Sequence, residues 1–310
     1  MGLSLKLKKK IEDKVEWKRK PVGLYELIGG QRNGELTSRK IGNFLTQNIL
    51  DLETRRRVLE WKKELEFWEE YGRIYYHLED TKPYYDLARS IEKFIEPKAG
   101  DIWLDAGCGP AKMSQVIWKK SRRKVKKIIG IDIVLKPARE TLVKMSEDIP
   151  LELKYANLGE RLPFSDNFFD GIVANICLSY VIDFEGKTGK EALEAVLRET
   201  YRILKPGGHM VWSTPKHNVH FQWNFIHSIA DMLNIKKQIA HGVIGLSVGM
   251  KILKHALEIQ KKGKKGIYTF LPKDELEELL FKIGFVNLAW KKSFTRQVWV
   301  NKLFKPKDIV

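Results

Sequence analysis

Cysteine is scarce in this chain, with two in 310 residues, and so few thiols exclude a disulfide-stapled scaffold. Cys108 sits in a glycine turn and Cys177 in an apolar, strand-like run, which suits a reducing compartment. No apolar run reaches the roughly 20 residues of a membrane-spanning helix, and no signal-peptide pattern opens the chain. Lys6 stands where a myristoylation signal starting at Gly2 wants Ser or Thr. The expected location is the cytoplasm, with peripheral contact at the inner membrane face as an extension of that reading. No internal repeat is visible. Acidic residues are also short, 39 against 56 Lys and Arg, which leaves a net charge of +17. That balance favours an anionic partner, or else is the lysine-rich surface common in proteins from hot environments.

Hydrophobic residues make up 43% of the chain, enough for one large domain with additions or two small ones. Residues 1–20 form a basic, polar arm expected to order only on a partner. The pattern from Pro21 to Asn48 is irregular, with turns at Gly29-Gly30 and Asn33-Gly34. A long helix is expected over Gln47 to Leu78, because Trp61, Leu65, Trp68, Tyr71 or Gly72, Tyr75 and Leu78 recur at helical spacing. A second helix runs from Pro83 to Ile95.

The centre of the pattern is IWLDAGCGPAKMSQ, Ile102 to Gln115. Ile102 to Ala106 reads as a buried strand, Gly107, Cys108 and Gly109 as a tight turn, and Pro110 as the first turn of a helix. Unpaired N–H groups at such a helix start face whatever lies against the glycines. A second apolar strand, Lys126 to Val134, carries Asp132 about 20 residues on, the distance at which an acid reaches ribose hydroxyls. Then follow LELKYANLG with Asn157, FFDGIVANIC with Asn175, and RILKPGGHMVWSTP. Helices are expected over Pro137 to Glu147, around Ala192 to Tyr201, and from Leu276 to a cap at Gly284. Two closing strands follow, Phe285 to Trp290 and Thr295 to Leu303.

These motifs resemble those of the class I S-adenosylmethionine (SAM) dependent methyltransferases, particularly the small-molecule, quinone-biosynthesis-like (type 11) group. LDAGCGPA, GIDI, ANLGERLPFSDNFFDGIVAN and LRETYRILKPGGHMVWSTP carry the resemblance, from about Trp68 to Phe285. It implies an α/β fold: a Rossmann-like, doubly wound, seven-stranded, mostly parallel sheet. To this are added an N-terminal helical extension and a helical insert after strand five. The expected division is residues 1–80 for arm and extension, and 81–310 for the methyltransferase domain with a lid insert at 216–266. The implied cofactor is S-adenosyl-L-methionine, held by Asp105, Gly107, Cys108, Gly109 and Asp132. Ile133 and Leu158 are implied on the adenine faces, Asn157 at the adenine amino group, and Asn175 at the methionine end. For Asn157 and Asn175 a plain turn role is the alternative. Tyr71 and Tyr75 join the cofactor side because aromatic faces steady a cationic sulfonium. Cys108 is structural in this family, and Cys177 is most simply a core residue.

In a sheet of this kind ligands bind beyond the carboxyl ends of the strands. The insert therefore lies on the ligand side, and the basic run Lys119 to Lys127 at the opposite end. Substrate-side candidates are Ser179 and Tyr180 after strand four, together with His217 and His220; Tyr180 is otherwise a pocket wall. His217, His220 and His227 lack a nearby carboxylate, so no metal is expected. Within the insert, His220 to Ile235 and Ile244 to Ile259 each present an apolar helical face. The expected acceptor is a lipophilic small molecule arriving from an anionic membrane surface. The alternatives are an RNA (tRNA) acceptor, weakened by the absence of an Asn/Asp-Pro-Pro-aromatic motif after strand four, or SAM binding without catalysis.

Overall fold

The computed structural model describes Ile28 and residues 35–144, 148–226 and 246–307. Its strands are β1 (Ile102–Ala106), β2 (Lys127–Asp132), β3 (Leu151–Tyr155), β4 (Phe169–Asn175), β5 (Leu204–Pro215), β6 (Val286–Ser293) and β7 (Val298–Phe304). They form one sheet in the order β3-β2-β1-β4-β5-β7-β6. β1 to β5 pair in parallel, and β7 is antiparallel to both β5 and β6. The class is therefore the expected one, α/β with a seven-stranded, mostly parallel sheet. Trp103, Leu104, Ile172 and Val211 are fully buried in the central strands, as a sheet covered on both faces requires. The Trp103 indole takes the space where a Cβ on Gly171, its partner on β4, would lie.

The helices are α1 (Ser38–Gln47), α2 (Leu52–Tyr75), α3 (Lys82–Phe94), α4 (Lys112–Lys120), α5 (Lys136–Lys144), α6 (Gly189–Ile203), α7 (Leu246–Lys264) and α8 (Lys273–Ile283). On one face, α6 and α8 bury Leu193, Val196, Leu276 and Leu280 with Leu104, Ile172 and Met210. On the other, Leu87 and Ile91 of α3 join Trp103, Val173 and Val211, and the same cluster takes in Phe67 and Tyr71 of α2 and Ile259 of α7. The extension and the insert thus share one apolar core with the sheet. Among the described residues no helix is long and apolar enough to cross a membrane.

Several boundaries differ from the sequence reading, each for a local reason. The helix expected over Gln47 to Leu78 begins at Leu52, where the Asp51 carboxylate caps it by accepting from Thr54 N at 2.9 Å. It ends at Tyr75 and tightens into a 3₁₀ turn, Tyr76–Asp80. The stretch read as irregular contains α1, capped by Thr37, whose hydroxyl accepts from Lys40 N. Pro110 precedes α4 instead of opening it, because Ala111 takes a left-handed conformation (φ 61°). In the insert, His220 and Phe221 precede a helical turn at residues 222–226, and the second helix runs on to Lys264; residues 227–235 of the first expected helix lie outside the described residues.

Candidate cofactor and acceptor site

The turn after β1 is held from both sides by acids at strand ends. Asp105 is buried, and its Oδ2 accepts from Ser114 N at 2.9 Å and Ser114 Oγ at 2.7 Å, tying the first turn of α4 back to β1. Asp132 accepts from Gly109 N through Oδ2 and from Val134 N through Oδ1, both at 2.9 Å. Burial pushes the Asp105 carboxyl up to about 7, against the lowering effect of the bonds from Ser114, and the neighbouring Asp132 adds to the rise. Burial raises Asp132 too, opposed by the backbone N–H groups of Val134, Gly109 and Ile133.

Gly107 has φ +64°, and a Cβ there would lie 2.6 Å from the Cβ of Cys177. Only glycine lets the two segments meet so closely. Cys177 in turn donates its thiol proton to Ala106 O at 3.0 Å, while burial raises the thiols of Cys108 and Cys177 well above their ordinary range. Neither is a thiolate nucleophile. At Gly109 a Cβ would meet no protein atom within 4 Å. Gly109 itself lines a cavity.

That cavity holds about 160 Å³ of space for water-sized spheres, at the carboxyl ends of β1, β2 and β4. Its wall brings together Asp105, Gly107, Cys108, Gly109, Asp132, Ile133, Asn157, Leu158, Asn175, Tyr71 and Tyr75. Asn157 also makes a local turn, its Oδ1 accepting from Gly159 N at 2.9 Å. Asn175 donates from Nδ2 to Tyr84 OH at 3.2 Å and accepts from Ser213 Oγ at 2.7 Å. A second cavity, about 80 Å³ by the same measure, adjoins the first and is lined by apolar groups from Leu78, Pro83, Phe221, Phe225, Ile252 and Ile259, among others. Trp68, Tyr71, Tyr75, Tyr84, Ile176 and Tyr180 belong to both walls. At this junction Trp68 stacks on Tyr180 with centroids 5.4 Å apart, and Tyr75 meets Tyr71 and Tyr84 edge to face. Burial raises all four tyrosine hydroxyls, so they are neutral at physiological pH.

Three substrate-side candidates are placed elsewhere. Ser179 is buried with its Oγ 2.6 Å from Thr214 Oγ1. His217 Nδ1 lies 2.8 Å from Phe270 O, and His220 is exposed beside Gln222. None of them lines either cavity; Tyr180 does. Sequence reasoning did not assign Trp61, Glu64, Trp68, Tyr84 and Asp183 to the site, although they line the first cavity. The helical spacing of Trp61 and Trp68 was the available signal for two of them. Glu64, an acid amid that apolar face, carried none.

With this geometry in view, residues 77–289 match the family model for a methyltransferase domain. The chain belongs to that family, the class I SAM-dependent methyltransferases, and S-adenosyl-L-methionine is the cofactor. It is 34% identical over 121 residues to demethylmenaquinone methyltransferase of Listeria monocytogenes, covering 38% of this chain and 46% of that protein. It is 32% identical over 135 residues to 24-methylenesterol C-methyltransferase 2 of Arabidopsis thaliana, covering 44% and 34%. Similarity extends to the mitochondrial arginine-hydroxylase NDUFAF5 of Danio rerio, 25% identical over 163 residues, covering 52% and 43%. The chain thus spans less than half the length of each of these relatives. Its fold is shared with a chain from the complex containing the Haloferax volcanii Trm112 methyltransferase activator, at TM-score 0.51 and 16% identity, covering 78% and 98%.

Proposed function

We propose that the protein transfers a methyl group from S-adenosyl-L-methionine to a small lipophilic acceptor. The observation that carries this reading is the second, apolar cavity that meets the cofactor cavity along a shared aromatic wall. On the cofactor side, Asp132 has acceptor capacity for ribose hydroxyls beyond its backbone donors, since a carboxylate offers about four lone-pair sites. Asp105 accepts from an ammonium group, whose charge favours ionisation of its raised carboxyl, Asn157 faces the adenine end, and Ile133 and Leu158 pack against the base. The bound cofactor supplies an electrophilic methyl group on a sulfonium. The chain's own work is alignment, which can account for roughly 7–11 kcal/mol of a barrier. The faces of Trp68, Tyr71, Tyr75 and Tyr180 steady positive charge at the junction, and α7 with Phe221 and Phe225 keeps water from the acceptor side. The neutral tyrosines are walls, not bases.

The test is to incubate the protein with methyl-labelled cofactor and either a total lipid extract or total RNA. Label in an organic-phase product, identified by mass spectrometry and reduced at least about tenfold by Trp68→Ala, is the expected result. Label in RNA would replace the lipophilic acceptor, and cofactor binding with no labelled product would make this a binding protein.

A further inference from the structure

Helix α7 has two unlike faces. Gly249, Ile252, Leu253, Ala256 and Ile259 turn inward and line the apolar cavity. The opposite stripe, Met250, Lys254, Leu257, Lys261 and Lys264, repeats at steps of four, three, four and three residues, and all five side chains are exposed. Met250 and Leu257 are 52% and 42% exposed. Lys251 and Lys265 flank this stripe, and among the described residues none of these five lysines is in an ion pair; Glu258, the acid on that side, lies 3.9 Å from Lys262. The helical turn at 222–226 is built the same way. Phe225 and Asn224 line the cavity, whereas Trp223 and Ile226 are each 51% exposed. The turn is fixed to α7, because Phe221 N donates to Gln260 Oε1 at 2.9 Å.

Large apolar side chains interleaved with lysines, one Trp among them, are the composition that settles at the boundary between lipid headgroups and acyl chains. A groove for an apolar peptide would not need the lysines, and what sets this region apart from singly exposed apolar side chains elsewhere, such as Phe281, is that Met250 and Leu257 lie in the same stripe as three lysines, with Trp223 and Ile226 exposed on the turn fixed to that helix. We propose that the outer faces of α7 and of the 222–226 turn dock on an anionic lipid bilayer. The lysines contact headgroups, and the exposed apolar side chains enter the interface. The wall of the acceptor cavity is then also the surface that meets the bilayer. In giving this meaning to the cavity, the inference rests on the lipophilic acceptor proposed above; the docking itself does not.

Sedimentation of the full chain with vesicles of phosphatidylcholine alone, and of equal parts phosphatidylcholine and phosphatidylglycerol, tests the docking. Binding is expected to the anionic vesicles and to weaken with salt. The combined variant Lys254→Glu, Lys261→Glu, Lys264→Glu should bind them at least about tenfold more weakly. A second variant, Trp223→Ser, Met250→Ser, Leu257→Ser, should lose the binding that persists in high salt. Because all six positions are exposed, both variants should keep the wild-type thermal midpoint and cofactor affinity, which shows that they are folded. Folded variants that sediment like wild type overturn the proposal, as does wild-type binding to RNA but not to vesicles. Label transfer to a detergent-solubilised lipid extract reads the methyltransferase assignment separately. If that transfer fails while vesicle binding follows these variants, the acceptor is wrong and the docking stands.

Discussion

At the scale of single residues, the cofactor turn is governed by two buried acids whose partners are mostly backbone. Asp132 was legible because an acid at that distance from a glycine turn has few other uses. Its bonds to Gly109 and Val134 show that it also holds the turn in shape. Asp105 has a measurable consequence. Its carboxyl, pushed up to about 7, holds a proton in the folded chain over a pH range where the unfolded chain, with an ordinary pKa of roughly 3.9, has lost it. Its contribution to stability is therefore fully present below pH ~4 and is lost as pH rises through 7. Asp132, shifted in the same direction, adds to the effect. This contribution to the urea midpoint of the cofactor-free protein should fall between about pH 4 and 7, and Asp105→Asn should make the pH dependence over that window shallower. An unchanged slope in the variant would show that Asp105 ionises normally.

Among the elements, α2 matters most, and it precedes residue 77, where the family match begins. It supplies Trp61, Glu64, Trp68, Tyr71, Gly72 and Tyr75 to the cofactor cavity. Two polar links fasten it there. Arg57 donates to both Asp183 oxygens, from Nη2 at 2.9 Å and from Nε at 3.1 Å. Glu64 is buried; its Oε2 accepts from Lys262 of α7 at 2.7 Å, and its Oε1 accepts from Tyr268 OH and from Trp68 Nε1. Lys262 also lies over the Phe67 ring, 4.1 Å from its centroid. Removing one member of a buried ion pair strands the other, so Glu64→Ala should cost about 3–5 kcal/mol in denaturant titration. Replacing Glu64 by Gln and Lys262 by Met together should cost much less, because no charge is left buried and the Gln carbonyl can still accept from Tyr268 OH and Trp68 Nε1. Equal losses in the two variants would mean that packing, not the ion pair, sets the stability of this junction.

For the whole molecule, the extension, the insert and the sheet share an apolar cluster, in which Phe67, Tyr71, Ile259 and Tyr268 pack with Trp103 and Val211. A cofactor held between α2 and the strand ends should stabilise all three parts together. At a free concentration 100 times its dissociation constant, it should add about 2.7 kcal/mol. Calorimetry should show one thermal transition that moves upward intact when S-adenosyl-L-methionine or its demethylated product is added. Two transitions, with only one responding, would show that the extension is not part of the cooperative unit.

The sequence by itself left α1 as irregular chain but determined the strand order, the helices from α2 onward, the glycine turn and the acid that faces it. These depend on residues close in the chain, on apolar periodicity and on backbone conformations open only to a few residue types. It did not decide where side chains beyond the strand ends point. Ser179, His217 and His220 looked like acceptor-side groups because they follow β4 and β5, yet Thr214 holds the first, the Phe270 carbonyl lies beside the second, and the third is exposed beside Gln222. Nor did local pattern show that Trp68 and Tyr180 meet face to face, 112 residues apart, between two cavities. The junction of cofactor and acceptor spaces is made by helices from distant parts of the chain, α2 and α7, packing together beyond the carboxyl ends of the central strands. Only the tertiary structure could decide it, because burying those apolar faces against each other is what brings them together.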